Sequence, residues 1–487
     1  MRTLLVQPRQ RGGLGFKSLA MVEPLGLEMV AGALESRGHE VRILDLVVPQ
    51  DLATALEEFQ PQLCGINCSF TIDVYQTLRV AAEARAARSA PFVLVGGHHA
   101  TLNPQDFLDP SVDAIAVGEG ELLIQELADG LASRRDLSQI PGLALNHGKE
   151  QFFTGQRSLI HDLDSLALPA RHLTDEHRRN KQYFMVMEIP MATCETARGC
   201  PYHCNFCSVW QFYQGKTRTK SPQRVVEDLA RVREKKILFT DDNFLLNVNR
   251  AAEIAELLRQ NKIKKNYFFQ ARSDSISRHP EVISLWKEVG LTGVFVGFEK
   301  IDDEELKSID KSNSAATNDT AVEVLGQRKV GIIGGFIVDP NYGPAQFEKL
   351  RQYIRSRPAI TNPTFTVLTP LPGTKLFDEI SDRLVTEDYE LFDLMHAVLP
   401  THMSIEEFYR EFTTLWHTAY RPSLGKWLGM ISASWAMSRA PASHFRRIIS
   451  TIKILTNPDC YLAGHLGARG DEARQTSYQP SDAGSPV

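Results

Sequence analysis

The stretch CETARGCPYHCNFCSVW, residues 194–210, contains four of the chain's seven cysteines. Three of them, Cys200, Cys204 and Cys207, follow a short apolar run with the spacing C-x3-C-x2-C. Zinc sites usually take four ligands in two pairs, and a redox-active C-x-x-C would leave Cys200 without a role. Iron–sulfur clusters are held by cysteine thiolates. The spacing therefore favours a cluster with three protein ligands and one iron open to a small molecule, with zinc and three buried structural cysteines as the alternatives.

The composition predicts a soluble protein of two or three domains. The 487 residues are 43% hydrophobic and 23% charged, and the net charge of −5 gives no general attraction to nucleic acid. The first apolar run is broken at Pro8, too early for a signal peptide, and no stretch reaches the roughly 18 apolar residues of a membrane span. We therefore expect a cytoplasmic protein, in which thiols stay reduced and clustered cysteines bind metal or take part in redox chemistry.

Alternating strand and helix signals predict a doubly wound, Rossmann-like α/β domain over residues 1–145. The clearest helix pattern is PLGLEMVAGALESRG (24–38), which begins at Pro24 and ends at Gly38. In such a fold the ligand lies at the carboxyl ends of the strands, where Gly96-Gly97 and GEGE (118–121) occur. The buried parallel strands are predicted at RTLLVQP (2–8), EVRILDL (40–46), LCGINCS (63–69), FVLVGGH (92–98) and AIAVGEG (114–120).

A polar connector, residues 146–188, precedes a second alternating series that predicts a partial (β/α)6 barrel over 189–375. Six units are too few for a closed eight-fold barrel, and the active face is expected at the C-terminal ends of the strands. The first helix is predicted at SPQRVVEDLARVREKK (221–236), with Ser221 as its N-cap. Residues 376–469 are predicted to be helical and 470–487 to be a disordered tail. The barrel strands are predicted at IPMATCET (189–196), KILFTDD (236–242), NYFFQARSD (266–274), TGVFVGFEK (292–300), VGIIGGFIVD (330–339) and NPTFTVLTPL (362–371).

Two motifs resemble those of cobalamin-dependent radical S-adenosylmethionine (SAM) enzymes. CPYHCNFC (200–207) is similar to the CxxxCxxC signature of the radical SAM superfamily, with aromatic Phe206 before the last cysteine. GGHHAT (96–101) resembles the GGxHxT motif of the cobalamin-binding domain that precedes the barrel in a large subclass. Within that subclass the chain is most similar to hopanoid C-3 methylases, on the stretches EPLGLEMVAGALESRGHEVRILDL (23–46), ARGCPYHCNFCSVWQFYQGKTR (197–218), LFTDDNFL (238–245) and GIIGGFIVDP (331–340).

The resemblance implies three cofactors and a reaction. SAM binds the open iron of a 4Fe–4S cluster held by Cys200, Cys204 and Cys207, and one electron cleaves it to a 5′-deoxyadenosyl radical. That radical removes hydrogen from an unactivated carbon, which no side-chain base deprotonates at pH 7, and methylcobalamin donates the methyl group. The resemblance thus implies a radical SAM methyltransferase of lipid metabolism that methylates a hopanoid, with C-3 as the expected position. It assigns no catalytic acid or base.

The resemblance also implies which residues contact SAM and cobalamin. Phe206 lies against adenine, TDDN (240–243) meets the SAM amino group, Arg272 pairs with the SAM carboxylate and Glu299 takes the ribose hydroxyls. The glycines of GIIGG (331–335) let the backbone approach the nucleoside closely. The SAM contacts are Phe206, Asp241, Asp242, Asn243, Arg272, Glu299, Gly334 and Gly335. The cobalamin contacts are Ser69, Phe70, Thr71, Gly96, Gly97, His99, Thr101, Gly118, Glu119 and Gly120.

Several other residues receive expectations beside these motifs. The DxHxxG motif that supplies a cobalt ligand in other cobalamin proteins is absent, so His99 is expected to contact a loop or the nucleotide tail, and His98 to be on the surface. Cys194 is expected to be structural, like Cys64 and Cys68 on their strand. The segment LTPLPGT (368–374) is expected to line the adenine side. An apolar wall of the substrate cavity is expected from Trp210, Phe212 and Tyr213.

The sequence leaves two alternative functions open and indicates several binding partners. A tetrapyrrole oxidase or cyclase of the bacteriochlorophyll type would keep the same cofactors without methyl transfer, and a cobalamin or cluster sensor would need a signalling module that the sequence lacks. The expected partners are a hopanoid and an electron donor such as flavodoxin or ferredoxin. Residues 421–455 combine six Lys or Arg over 421–453 with aromatic and aliphatic side chains, which favours contact with the inner face of an anionic membrane. A helix packed on the barrel with a basic outer face is the alternative.

Overall fold

The structure of the chain, a computed structural model, describes residues 1–9, 14, 20–48, 50–185, 189–420 and 442–470. Most of the predicted tail and positions 421–441 of the basic stretch lie outside these described residues. The described part is an α/β protein with one parallel-stranded sheet in each half of the chain, as the strand and helix signals predicted.

The first half contains a seven-stranded sheet with the order β3-β1-β4-β5-β6-β7-β8, in which the first five strands are parallel and the last two antiparallel. Its helices are α1 (Leu25–Glu35), α2 (Leu52–Phe59), α3 (Val74–Ala86), α4 (His98–Leu102), α5 (Gly120–Ser133) and α6 (Asp175–Arg179). The strands up to residue 185 are β1 (Arg2–Gln7), β2 (Ala20–Met21), β3 (Glu40–Asp45), β4 (Leu63–Asn67), β5 (Phe92–Gly96), β6 (Ala114–Ala116), β7 (Leu143–His147), β8 (Glu150–Phe153) and β9 (Phe184–Met185).

The first sheet is doubly wound because alternate side chains of its buried strands enter two different cores. Leu4 and Val6 of β1 face α2 and α3, whereas Leu5 between them faces α1 and α5. The chain runs from β1 to β3 on one side and then returns to β4 on the other. The carboxyl ends of β1 and β4 therefore mark the switch point, where open α/β sheets bind ligands.

The second half contains a six-stranded parallel sheet with the order β10-β13-β14-β15-β16-β17, the partial barrel that the sequence predicted. Its strands, with those of a two-stranded ribbon (β11 and β12), are β10 (Ala192–Cys194), β11 (Ala197–Arg198), β12 (Arg218–Thr219), β13 (Lys236–Phe239), β14 (Asn266–Ala271), β15 (Leu291–Glu299), β16 (Gly331–Val338) and β17 (Asn362–Val367). Its helices are α7 (Val209–Phe212), α8 (Pro222–Arg231), α9 (Val248–Gln260), α10 (Ser273–Arg278), α11 (Pro280–Val289), α12 (Asp303–Ser308), α13 (Ala315–Gln327), α14 (Pro344–Ser356) and α15 (Lys375–Ile380).

The C-terminal region is less helical than predicted. Helices α16 (Ile405–Tyr420), α17 (Ala442–Leu455) and α18 (Pro458–Gly470) are present, but residues 384–404 form turns around one short 3-10 segment. Asp388 and Asp393 explain the difference, since each side chain accepts backbone N–H groups two or three residues ahead and so stabilises a turn instead of a helix. No helix within the described ranges is long and apolar enough to cross a membrane.

The first sheet also extends beyond the predicted limit at residue 145. Strands β7 and β8 form an antiparallel hairpin around Gly148, whose φ of 67° suits the tight turn. This hairpin crosses into the predicted polar connector, residues 146–188. The sequence hid it because β8 is an edge strand whose side chains are mostly exposed, so the apolar alternation is weak. Strands β2 and β9 form a second small ribbon between the halves.

Candidate functional site

Cys200, Cys204 and Cys207 lie on one loop that follows β11, and hydrogen bonds hold this loop at several points. We call residues 199–208 the cluster loop. Gly199 begins it with a φ of 90°, and a Cβ there would lie 2.1 Å from the Lys216 carbonyl oxygen, so only glycine fits. The Cys204 carbonyl accepts hydrogen bonds from Cys207 N (3.1 Å) and Trp210 Nε1 (3.1 Å). The amide of Asn205 holds the loop to the barrel by donating to the Ser308 carbonyl (3.2 Å).

The three cluster-loop cysteines are free thiols in a partly desolvated setting. Burial raises the pKa of Cys200 and Cys204 above the ordinary value and that of Cys207 to about 12. Thiols with such pKa values bind iron only with loss of a proton, which a bound metal ion drives. No three His, Cys, Asp or Glu side chains of the described chain converge as ligands of a single ion. Cysteine thiolates are the ligands that iron–sulfur clusters use, and these three lie within eight residues of one loop, so the donor set suits a cluster that binds each thiolate at a different iron.

The two aspartates after β13 have different roles. Asp241 is 1% exposed and accepts Thr196 N at 2.6 Å and the Thr196 hydroxyl, which ties β13 to the segment after β10. Burial raises the pKa of Asp241 to about 6 and that of Asp242 to about 7. Asp242 accepts the Gly199 N–H (3.1 Å) and so holds the start of the cluster loop. Of the two predicted SAM contacts, Asp241 is thus committed to structure, and Asp242 lies at the loop.

The predicted carboxylate partner Arg272 is buried beside the cluster loop and already engaged. Its guanidinium lies 3.6 Å from the Tyr202 ring centroid, and it donates to Asp274 (3.0 Å) and to the Ser312 carbonyl (2.7 Å). The nearby amide Asn243 is 4% exposed, and its Nδ2 has no hydrogen-bond partner among the described residues. This buried donor at the carboxyl end of β13 could bond a ligand oxygen, whereas the resemblance implied a contact with the SAM amino group, which stays a prediction.

The remaining predicted SAM residues divide between the two faces of the barrel sheet. Phe206 packs on Ile337 and Leu368 at the inner face. Glu299 has a φ of 62° and accepts Lys311 Nζ at 2.9 Å.

Only one of the two predicted glycine contacts points inward. A Cβ on Gly335 would lie 2.8 Å from the inner Phe295 ring. One on Gly334 would meet Phe298 and Ile360 of the outer core, both at 3.0 Å. A side chain at position 334 would thus face the outer core and one at 335 the inner face, because alternate residues of a strand face opposite sides of the sheet; the contact of Gly334 with SAM stays a prediction.

A cavity of about 240 Å³ opens at the switch point of the first sheet, and residues that flank the cluster loop line one side of it. Its floor is apolar, with Leu5, Leu94 and Ile124 from β1, β5 and α5. A Cβ on Gly26 or Gly118, which both line it, would meet no atom within 4 Å, so both glycines leave open space in the wall. The second half closes the cavity with Glu195, Arg198, Phe212 and Tyr213.

Only some of the predicted cobalamin contacts line this cavity. Phe70 does not line it, and its side chain is 61% exposed. Thr71 and Thr101 are also outside the lining, and Thr101 Oγ1 accepts the Gly118 N–H at 3.0 Å. Those that line it are Ser69, Gly96, Gly97, Gly118, Glu119 and Gly120.

Of the two adjacent histidines, His99 contacts a loop of the first half, whereas His98 is not on the surface as predicted. His99 is 4% exposed, with Nδ1 3.2 Å from Thr71 Oγ1 and Nε2 2.9 Å from Asp106 Oδ2, so both ring nitrogens have partners within the first half. His98, expected on the surface, is half-buried and lines the cavity. Burial, with a smaller contribution from His99, lowers the pKa of His98 to about 4.

An ion-pair network that the sequence analysis missed joins the two halves at the cavity. Arg198 and Arg218 lie opposite each other on the β11–β12 ribbon, and each donates to Glu119 at 2.6 Å. Arg198 also donates to Glu195 (3.0 Å) and to Glu121. Both carboxylate oxygens of Glu119, a predicted cobalamin contact, therefore accept hydrogen bonds from arginines of the second half. One of them also accepts the Ile160 N–H.

A second buried network joins the halves near β10. Arg171 donates to Glu23 (2.9 Å), to Asp228 (3.2 Å) and to the Thr193 carbonyl (2.9 Å). Cys194 lies in this network, fully buried with its sulfur 3.6 Å from Asp228 Oδ2, in agreement with its expected structural role. The sequence signal for both networks is the presence of charged residues inside otherwise buried elements, such as Glu28 of α1 and Arg198 of β11.

Two further predictions concern residues near this cavity, and the apolar wall of a substrate cavity stays a prediction. Phe212 and Tyr213 line the cavity, whereas Trp210 is not among its lining residues and its indole N–H bonds the cluster loop. The segment 368–374 packs on the first half, since Asn103 donates to the Pro372 carbonyl (3.2 Å) and a Cβ on Gly373 would lie 2.7 Å from Leu102 Cβ.

Two protein-family models match the chain in the order that the fold suggests. The model described as a B12 binding domain matches residues 13–128, and the model described as the Radical SAM superfamily matches residues 194–354. The first match ends before the β7–β8 hairpin, and the second begins at Cys194.

Full-length relatives share both halves. The chain is 33% identical to "Hopanoid C-3 methylase" of Methylococcus capsulatus, over 92% of this chain and 87% of that protein. It is 27% identical to "Anaerobic magnesium-protoporphyrin IX monomethyl ester cyclase" of Cereibacter sphaeroides, over 82% of this chain and 67% of that protein. Among solved structures, the cobalamin-dependent S-adenosylmethionine radical enzyme OxsB with aqua-cobalamin and S-adenosylmethionine bound has the same fold (TM-score 0.67, 15% identity, 99% of this chain, 82% of that chain).

Proposed function

Because the chain belongs to the family of cobalamin-dependent radical SAM methyltransferases that contains hopanoid C-3 methylase, we propose that it methylates an unactivated ring carbon of a hopanoid, at C-3. The observation that carries the proposal is the similarity to that methylase across both halves of the chain. The cavity at the switch point supports it, because residues that flank the cluster loop line this cavity, which we propose as the site of the methyl carrier.

The cluster loop is the proposed site of the 4Fe–4S cluster, with Cys200, Cys204 and Cys207 as its ligands. The bound cluster, SAM and cobalamin together supply a hydrogen-abstracting radical and a transferable methyl group. Asp242 fixes the start of the loop through Gly199, and the Cys204 carbonyl, with its two N–H donors, fixes the middle. These hydrogen bonds fix the conformation of the loop that carries the three thiols.

The SAM contacts that we propose are the predicted residues that remain accessible to a ligand. Phe206 provides an apolar surface for adenine, and Asn243 has an unused amide donor. Arg272 reaches a carboxylate only by giving up or sharing a hydrogen bond with Asp274 or Ser312. Asp241 and Gly334 are not proposed as contacts, because one is bonded to Thr196 and the other faces the outer core.

The apolar cavity is the proposed site of the cobalamin nucleotide tail. Its volume suits a bicyclic base rather than a whole corrin, and its glycine-lined walls leave room for one. Ser69 and exposed Phe70 follow β4 at the cavity and are proposed to contact the corrin face. His99 is not proposed as a cobalt ligand, because both of its nitrogens are hydrogen-bonded inside the first half.

Membrane contact is proposed through α17, the described end of the basic stretch. Arg446 and Ile449 are exposed, with Ile449 at 49%, whereas Leu455 on the same helix is buried against the C-terminal core. A basic and aliphatic outer face suits the headgroup region of an anionic bilayer, where a hopanoid resides. The physiological electron donor is proposed to be a flavodoxin or ferredoxin.

The substrate proposal is tested by expressing the gene in a host that makes only unmethylated hopanoids. Lipid mass spectrometry is expected to show hopanoids heavier by one methyl group, and magnetic resonance to place that group at C-3. The matched control carries alanine at all three cluster-loop cysteines and is expected to give no methylated lipid.

The rival tetrapyrrole cyclase is separated by the products formed from SAM. Methyl transfer yields S-adenosylhomocysteine together with 5′-deoxyadenosine, whereas the cyclase reaction yields 5′-deoxyadenosine alone. If no hopanoid gains a methyl group while the purified enzyme cleaves SAM in the presence of a magnesium porphyrin, the hopanoid assignment fails.

A further inference from the structure

His98 joins the cavity of the first half to the helix that follows the cluster loop. It is the first residue of α4, directly after β5, and it lines the cavity. Gly97 before it has a φ of 117°, and a Cβ there would lie 2.6 Å from the Cys68 carbonyl oxygen. Since only glycine fits at position 97, the start of α4 is fixed against the end of β4.

His98 contacts helix α7 at both of its ends. Its Nε2 lies 2.8 Å from the hydroxyl oxygen of Ser208, which precedes the helix, and its ring stacks on Phe212, the last residue, with centroids 4.7 Å apart and an interplanar angle of 11°. Ser208 directly follows Cys207 in the chain. A displacement of α7 therefore displaces the third cysteine of the cluster loop.

Ser208 gives up its usual role for this contact. A serine before a helix normally accepts a hydrogen bond from a backbone N–H of the first turn. Here Ser208 makes no such bond, and its hydroxyl is hydrogen-bonded to the histidine of the other half instead. The motif GGxHxT does not require a histidine at position 98, so the motif does not account for this contact.

We propose that His98 is a positioning residue that holds the cluster loop at a fixed separation from the cobalamin cavity through Ser208 and Phe212. This rests on the proposed placement of the cluster and cobalamin and does not depend on the lipid substrate. The hydrogen bond fixes the beginning of α7 and the ring stack fixes its end. The distance between the two metal centres then has one value instead of a distribution.

The test uses the enzyme loaded with cobalamin and cluster, reduced so that both cobalt and cluster are paramagnetic, without lipid. His98→Phe keeps the ring stack and removes the hydrogen bond, Ser208→Ala removes the same bond from the other side, and His172→Phe changes a 62% exposed histidine as the control. We expect unchanged iron and cobalt contents and a defined spin–spin splitting in the wild type and in His172→Phe. In both single variants, and to the same extent in the double variant, the splitting is expected to broaden.

Four results would overturn the inference. Wild-type splitting in both single variants would show that the bond does not set the separation. Additive broadening in the double variant would show that the two residues act independently. Loss of cobalamin in His98→Phe alone would make His98 a direct cobalamin contact. Absence of any splitting in the wild type would overturn the proposed cofactor placement as well, which separates that failure from failure of the inference alone.

Discussion

Replacing Arg198 by methionine tests the ion-pair network between the halves. Met has a similar length and no charge, so the substitution removes the hydrogen bonds of Arg198 to Glu119, Glu121 and Glu195. Glu119 keeps Arg218 at 2.6 Å, and Glu195 keeps Lys220 at 3.3 Å. Glu121, 5% exposed, has no other cation bonded to it among the described residues. The substitution therefore leaves mainly one buried carboxylate, that of Glu121, without its cation.

The expected cost is about 3–5 kcal/mol in the free energy of unfolding, the range for a buried charge whose partner is removed. The control, Arg157→Met, breaks a pair with Glu126, which is 47% exposed, and is expected to cost at most about 1 kcal/mol. Urea titrations of both variants measure the difference. Glu121→Gln added to Arg198→Met is expected to restore much of the loss, because it removes the unpaired charge.

The pH dependence has a definite sign. In the wild type, burial raises the pKa of Glu121, but Arg198 overcomes this and holds it below the ordinary value, so the pair's stabilisation is lost only as the pH falls through that lowered pKa. In Arg198→Met burial is opposed only by a backbone hydrogen bond and the Lys220 charge, so the pKa of Glu121 is expected to rise and protonation to relieve the cost. The difference between variant and wild type is expected to be smaller at pH 5 than at pH 7.5. A constant difference, or a double variant as unstable as Arg198→Met, would refute the reasoning.

Three further predictions concern the cofactors. Gly26→Leu places a side chain in the cavity and is expected to weaken hydroxocobalamin binding by about tenfold in equilibrium dialysis without lowering the melting temperature; unchanged affinity would contradict the cavity assignment. Cys194→Ser is expected to keep a full complement of iron after anaerobic reconstitution, whereas alanine at the three cluster-loop cysteines removes it; iron retained in the latter would sink the ligand assignment. Paramagnetic resonance of the cob(II)alamin form is expected to show no axial nitrogen splitting, and a triplet that vanishes in His99→Ala would contradict the hydrogen bonding of His99.

The fold was predictable because its buried strands are short apolar runs at regular intervals. The beginning of helix α8 followed from Ser221, whose hydroxyl accepts the Arg224 N–H. Its end did not, because the helix ends at Arg231 and not at residue 236. Exposed and irregular elements were not predictable in this way. The β7–β8 hairpin has a largely exposed edge strand, and the turns after residue 384 depend on aspartate side chains that a search for helical periodicity overlooks.

Within the site, residue type was easier to predict than direction. The cysteine spacing identified the loop, and the residues predicted at the strand ends include six that line the cavity. That Gly334 faces the outer core depends on strand register, and a displacement by one residue reverses it. That His98 lines the cavity depends on how α4 begins after Gly97, which the motif alone does not contain. The arginines that bond Glu119 are distant in sequence, and only the folded chain brings them together.

The shared wall of the cavity has a consequence for the order in which the molecule is made. On a ribosome, the complete first sheet emerges well before residues 195–213, which supply Glu195, Arg198, Phe212 and Tyr213 to the wall. Until then, one side of the cavity is open to water, and Glu119 and Glu121 lack the arginine that later joins them. In a nascent chain the cavity would therefore lack the wall from the second half and would carry two unpaired glutamates at its edge. Efficient capture of the corrinoid is expected only after the second half has folded against the first.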